Sequence, residues 1–180
     1  KLDLSITEST VTEDEARFAE LDLGFAYRPT GNDKLNVLGN YTFIYDLPTL
    51  GQNTRGTDRR EHILALEGIY EINSRWEIGA KVAIKRGDMR LDRAKGEWVE
   101  TGAQLVVVRT RYHVNKAWDG LLEYRVLSTT EDDSKAGFLA ALYRHFGNNM
   151  KVGVGYNFTD FSDDLTDNDY DSEGWFIDLI

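Results

Sequence analysis

Cysteine is absent from the 180 residues, proline occurs twice and histidine three times, and 21 basic residues face 31 acidic ones. Without cysteine there is no disulfide scaffold, thiol catalysis or cysteine-ligated metal site. That absence locates nothing, because every compartment permits it. A net charge of −10 would repel nucleic-acid phosphates over most of the surface, so a nucleic-acid partner is not expected. No run of about 18 apolar residues occurs, which excludes a membrane-crossing helix. The length suits one domain with a real core, or one closed barrel. The chain opens Lys1-Leu2-Asp3, with neither Met nor an apolar leader. It reads as a single domain over 1–180, either a mature product or the C-terminal part of a longer protein.

What the chain has is alternation. In 75–85, Trp76, Ile78, Ala80, Val82 and Ile84 share one parity, and Glu77, Gly79, Lys81, Ala83 and Lys85 the other. A period of two over that length predicts a strand longer than the about 5–6 residues usual in globular sheets. The same pattern recurs at 20–27, 36–45, 64–71, 118–127, 151–158 and 175–179. Two further strands, 99–114 and 136–146, are less regular, and a bulge or a tightly packed interior would account for them. A short opening strand (Leu2, Leu4, Ile6) brings the total to about ten, within a range of 8–12. Tight links at Asn73-Ser74, Val114-Asn115, 147–149 and 29–33 alternate with longer polar loops near 8–14, 47–60, 87–97, 128–135 and 159–173. In an up-and-down meander, all short turns then fall at one end and all long loops at the other.

A soluble lipocalin-type barrel and a membrane barrel share this meander with opposite polarity. Tyr27, Tyr70, Trp76, Tyr112, Trp118 and Tyr143 lie near the short turns, and Tyr45, Trp98, Phe158 and Trp175 near the long loops. Two aromatic belts are what the two interfaces of a bilayer select. Strands such as 61–72 and 116–128 reach the about 9–11 residues that a tilted membrane strand needs. The opposite parity carries Glu20, Asp22, Glu67, Glu77, Lys81, Lys85, Arg109, Arg111, Glu123 and Arg125, joined by Glu71, Arg144 and Asp178. Inside a barrel these would form a lumen charge network, tolerable only if paired and hydrogen-bonded.

On these features the chain resembles a bacterial outer-membrane β-barrel of the small OmpA/OmpX sort, with short periplasmic turns and long external loops. The stretch from Val152 through Tyr156, Phe158 and Phe161 to Asp164, followed by Gly174-Trp175-Phe176-Ile177, is more specific. It resembles the closing hairpin of barrel domains at the C-terminus of large outer-membrane surface proteins. Such domains usually end in an aromatic residue, whereas this chain ends Asp178-Leu179-Ile180.

Other sites carry less. The segment 160–173 holds seven carboxylates, and Asp167, Asp169, Asp171 and Glu173 echo EF-hand spacing as a weak Ca²⁺ candidate. Ser172 stands where that loop needs glycine, so an acidic external loop is the simpler reading. His62 could meet Ser128 or Ser134 with Asp58 as orienter, but no G-x-S-x-G nucleophile motif is present, and no enzyme activity, cofactor or dedicated metal is expected. Arg55, Arg59, Arg60, Arg86, Arg90 and Arg93 would give a basic rim for lipopolysaccharide phosphates or for neighbouring acidic loops. The expectation is thus an all-β, antiparallel up-and-down transmembrane barrel in the bacterial outer membrane, acting as an anchor with a charged, largely filled lumen. Its partners would be membrane lipid, lipopolysaccharide and the neighbouring domains of a longer chain. The alternatives are a narrow porin-like channel and a soluble lipocalin-like binder.

Overall fold

The computed structural model describes residues 2–9, 16–47, 58–130, 134–147, 150–159, 161, 165 and 173–180. Ten strands follow one another: β1 Leu2–Ser9, β2 Ala16–Tyr27, β3 Leu35–Leu47, β4 Asp58–Glu71, β5 Trp76–Arg90, β6 Val99–Asn115, β7 Trp118–Thr129, β8 Ser134–Phe146, β9 Met150–Asn157 and β10 Gly174–Leu179. Each pairs antiparallel with the next in a single sheet ordered β1 to β10. Among the described residues no ladder joins β1 to β10, which are therefore the two edges.

The sheet is strongly staggered. One row of directly opposed residues starts at Tyr27, the last residue of β2, and passes through Val37, Gly68, Ala80, Val108, Tyr124 and Phe138. It arrives at Phe158, whose N–H donates to the Phe138 carbonyl one residue beyond the opposite end of β9. Across these strands the register slides by about a whole strand length, the shear that accompanies strand tilt in closing sheets. The sheet also curls. Phe161 and Leu165, after β9, pack with Ile44 of β3, Ile63 of β4, Ala83 of β5 and Leu105 and Val107 of β6. One face of the sheet is therefore concave.

The pattern-based boundaries hold in the middle of strands and fail at their ends. The β4–β5 hairpin runs past the predicted loops because Asp58 stands opposite Arg90 and Arg60 opposite Asp88. Ion pairs of 2.7 and 3.0 Å continue a ladder that apolar alternation had ceased to mark. The β6–β7 turn is Lys116-Ala117, not Val114-Asn115; Asn115 Oδ1 accepts the Ala117 N–H at 2.8 Å. The apolar run at 105–108 contains no bulge: pairing is continuous there, and the register shifts only between His113 and Asn115. Leu105 and Val107 are buried on the concave face, so the tightly packed interior is the correct explanation.

Candidate functional site

The concave face carries the charges. Glu123 and Arg125 are 6% and 5% exposed, and Glu61, Lys85 and Asp119 are buried as well. On the outer face Leu66, Val82 and Leu122 are each about half exposed. The concave face is thus mixed, with buried charges beside the aliphatic cluster of Ile44, Ile63, Ala83, Leu105 and Val107, while the apolar parity of these strands is the exposed one.

The register dictates some of the pairs. Glu77 stands opposite Arg111 and bonds it at 3.2 Å. Asp22 stands opposite Thr42 and accepts its hydroxyl at 2.5 Å. Two residues on, period two brings Arg125 Nε within 2.5 Å of Glu123 on the same face of β7. Lys85 reaches Glu61 at 3.2 Å, and Arg109 of β6 bridges over β5 to Glu67 of β4. Glu20 and Lys81 are engaged too. The ten predicted network residues are thus all in contact with partners, though in several small clusters.

Sequence reading missed one cluster at the short-turn end. Asp119, buried, accepts from His113 Nδ1 and His145 Nε2 at 2.7 Å each, with Lys151 Nζ at 3.8 Å. His113 is the residue opposite Asp119, so the period-two pattern plus the correct turn would have found it. Among the described residues no group of three or more His, Asp or Glu side chains is placed to hold a metal ion. The Ca²⁺ candidates Asp167, Asp169 and Asp171 lie outside the described residues, and Glu173 is exposed.

Three assignments need correction. Glu71, expected among the interior charges, is exposed at the end of β4. Tyr143, expected in the outer belt, is 6% exposed on the concave face, where its hydroxyl donates to Asp178 at 3.3 Å and Lys151 lies over its ring. The cause is Gly153 opposite it: a Cβ there would fall 2.3 Å from the tyrosine ring, so only glycine leaves the ring room. Gly153→Ala is expected to cost about 1–3 kcal/mol by overpacking. Denaturant titration should register this, and Tyr143→Leu in the same chain should remove most of the penalty. Arg144, assigned to the interior, is exposed and stacks on Trp118 and Phe146, both outside. In β8 the charges do not follow one parity.

The remaining belt residues are on the outer face or at strand ends. Tyr27, Tyr70, Trp76, Trp98, Phe158 and Trp175 are exposed, whereas Tyr45, Tyr112 and Trp118 are partly covered. Trp76 packs on Tyr112 at 4.6 Å, and Tyr156 meets Trp175 edge-on at 5.4 Å. Four of the expected rim arginines are balanced internally, and Arg86 is exposed. Arg90 and Arg93 converge on Asp58, Arg59 on Glu61 and Arg60 on Asp88, while Arg60 and Arg90 both stack on Trp98. Arg55 lies outside the described residues. The histidine–serine idea finds no geometry: His62 Nδ1 meets Tyr41 OH at 2.7 Å, and Ser128 and Ser134 face each other across β7 and β8.

Part of the segment after β9 turns inward. Asn157 Oδ1 accepts both the N–H and the hydroxyl of Thr159, an Asx-type turn at the strand end. Gly137 leaves space for Thr159, since a Cβ there would lie 2.5 Å from its methyl. Phe161 and Leu165 then seal against the aliphatic part of the concave face. No sequence signal distinguished these two residues from an external loop.

Fold and site together define an all-β protein: one antiparallel, up-and-down, curled sheet with ionic and aliphatic groups on its concave face. The chain matches no protein-family model, no curated protein and no solved structure.

Proposed function

We propose that the chain is the membrane-spanning β-barrel of a bacterial outer-membrane protein and serves as its anchor, with a charged, largely filled interior. The observation that carries this reading is the inverted burial: ion pairs beneath, half-exposed Leu66, Val82 and Leu122 outside. Lipid accepts such a face, and closure of β1 on β10 would satisfy the two free edges, as a bilayer requires. The stagger of the sheet and the alternation of short and long connections fit the same arrangement. The exposed aromatics near both strand ends suit its two interfaces. A soluble binder with the opposite face inward would cover Leu66, Val82 and Leu122, so the burial pattern weighs against it. Trp98 beneath Arg60 and Arg90 suits lipid headgroups at the long-loop end.

Anchor is preferred to channel because Phe161 and Leu165 pack into part of the aliphatic interior and ion pairs cross the rest, leaving a pocket rather than a bore. General diffusion as in porins takes about 16–18 strands. In planar bilayers the folded protein is expected to show only rare, small openings. A steady conductance in every active patch would overturn the anchor reading in favour of a channel.

A further inference from the structure

The concave face is not filled evenly. Between β2–β5 and Leu165 lies a cavity of about 550 Å³. Its wall is aliphatic: Ala26, Leu38, Ile63, Ala65, Ala83 and Leu165. Ile63, Ala83 and Leu165 are buried at one end, while Ala26 and Leu38 are exposed at the other. The cavity is therefore a half-open pocket, covered at the Leu165 end and exposed toward the β2–β3 turn. Its volume falls within the about 300–1,000 Å³ of small-molecule sites, and the wall has the apolar lining with a few polar groups that such sites share.

The polar groups choose the ligand. Glu67 is held by Arg109, and Lys81 is already engaged. A charged ligand end would have to break one of these pairs or remain uncompensated. Asn40, at the exposed end, donates only to Thr42 among the described residues, which leaves its carbonyl oxygen and a second N–H for a neutral partner. We propose that this pocket binds a small neutral amphiphile: an unbranched aliphatic body seated against Ile63, Ala83 and Leu165, with one amide or hydroxyl end at Asn40. The site does not depend on which solvent meets the outer face, so it stands or falls separately from the membrane reading.

The test uses the folded protein, in lipid nanodiscs or in whatever medium it folds, with alanine methyl groups labelled for NMR. Decanamide is the probe, with decanoate and decylammonium as charged controls of equal length. Saturable shifts of the Ala65 and Ala83 methyls with decanamide are expected, with at least several-fold weaker response to both ions. Asn40→Leu should weaken decanamide binding about 2- to 10-fold, the loss of one neutral hydrogen bond. Ala65→Leu should abolish it by filling the pocket. If that variant folds poorly, Ala26→Phe at the exposed mouth blocks entry without touching the packed end. No saturable shift with decanamide would overturn the proposal, as would unchanged binding in a folded filling variant. Equal binding of either ion would overturn the assignment of a neutral ligand.

Discussion

Val82→Arg is expected, on the proposed membrane reading, to destabilise the protein folded in a bilayer by about 2–4 kcal/mol, the cost of a cation on a lipid-facing strand near the midplane. Val82 lies in the middle of β5 on the outer face, opposite Leu66 and Val106, and is 48% exposed. In water the same substitution should change stability by no more than about 0.5 kcal/mol, because a surface position away from special features tolerates charge. The two solvents thus predict effects several-fold apart at one residue. Urea titration in lipid vesicles measures it, and Arg at Lys95, on the exposed long connection between β5 and β6, serves as the silent control. A Val82→Arg protein as stable as its parent in vesicles would show that lipid does not touch this face.

Inside, the largest effect is expected from breaking one partner of a buried pair. Arg125→Leu leaves Glu123 buried without the guanidinium now 2.5 Å away, a change of about 3–5 kcal/mol for pairs of this kind. Adding Glu123→Gln to the same chain should restore at least half of that loss, since the orphaned charge is what costs most. Exposed ion pairs give about 0–1 kcal/mol on the same measurement. A loss below 1 kcal/mol, with no recovery in the double variant, would mean that water reaches these side chains freely and that the interior is open.

How far the sequence reveals this molecule depends on the kind of residue asked about. In 76–85 the two faces of the strand differ at nearly every step, so parity alone gave the strand and its inner set, Glu77, Lys81 and Lys85. At Asp58, Arg60, Asp88 and Arg90 the alternation had stopped, and only the cross-strand ion pairs show that the hairpin continues. Tyr143 was misassigned because a tyrosine near a turn resembles an interfacial one. The glycine that admits it to the interior, Gly153, is distant in sequence and adjacent only through the register. Phe161 and Leu165 belong to a stretch whose composition is that of an acidic loop, and their inward turn depends on Asn157, Thr159 and Gly137 acting together. Long-range space-filling of this sort leaves no period in the sequence.

The membrane assignment itself is tested most directly by refolding the chain from denaturant with and without detergent micelles, followed by gel migration before and after boiling. The account predicts a folded, compact band only in micelles, shifting on boiling, and aggregation in plain buffer. A monodisperse, folded protein in buffer without detergent would contradict it, because the half-exposed outer face would then be stable in water.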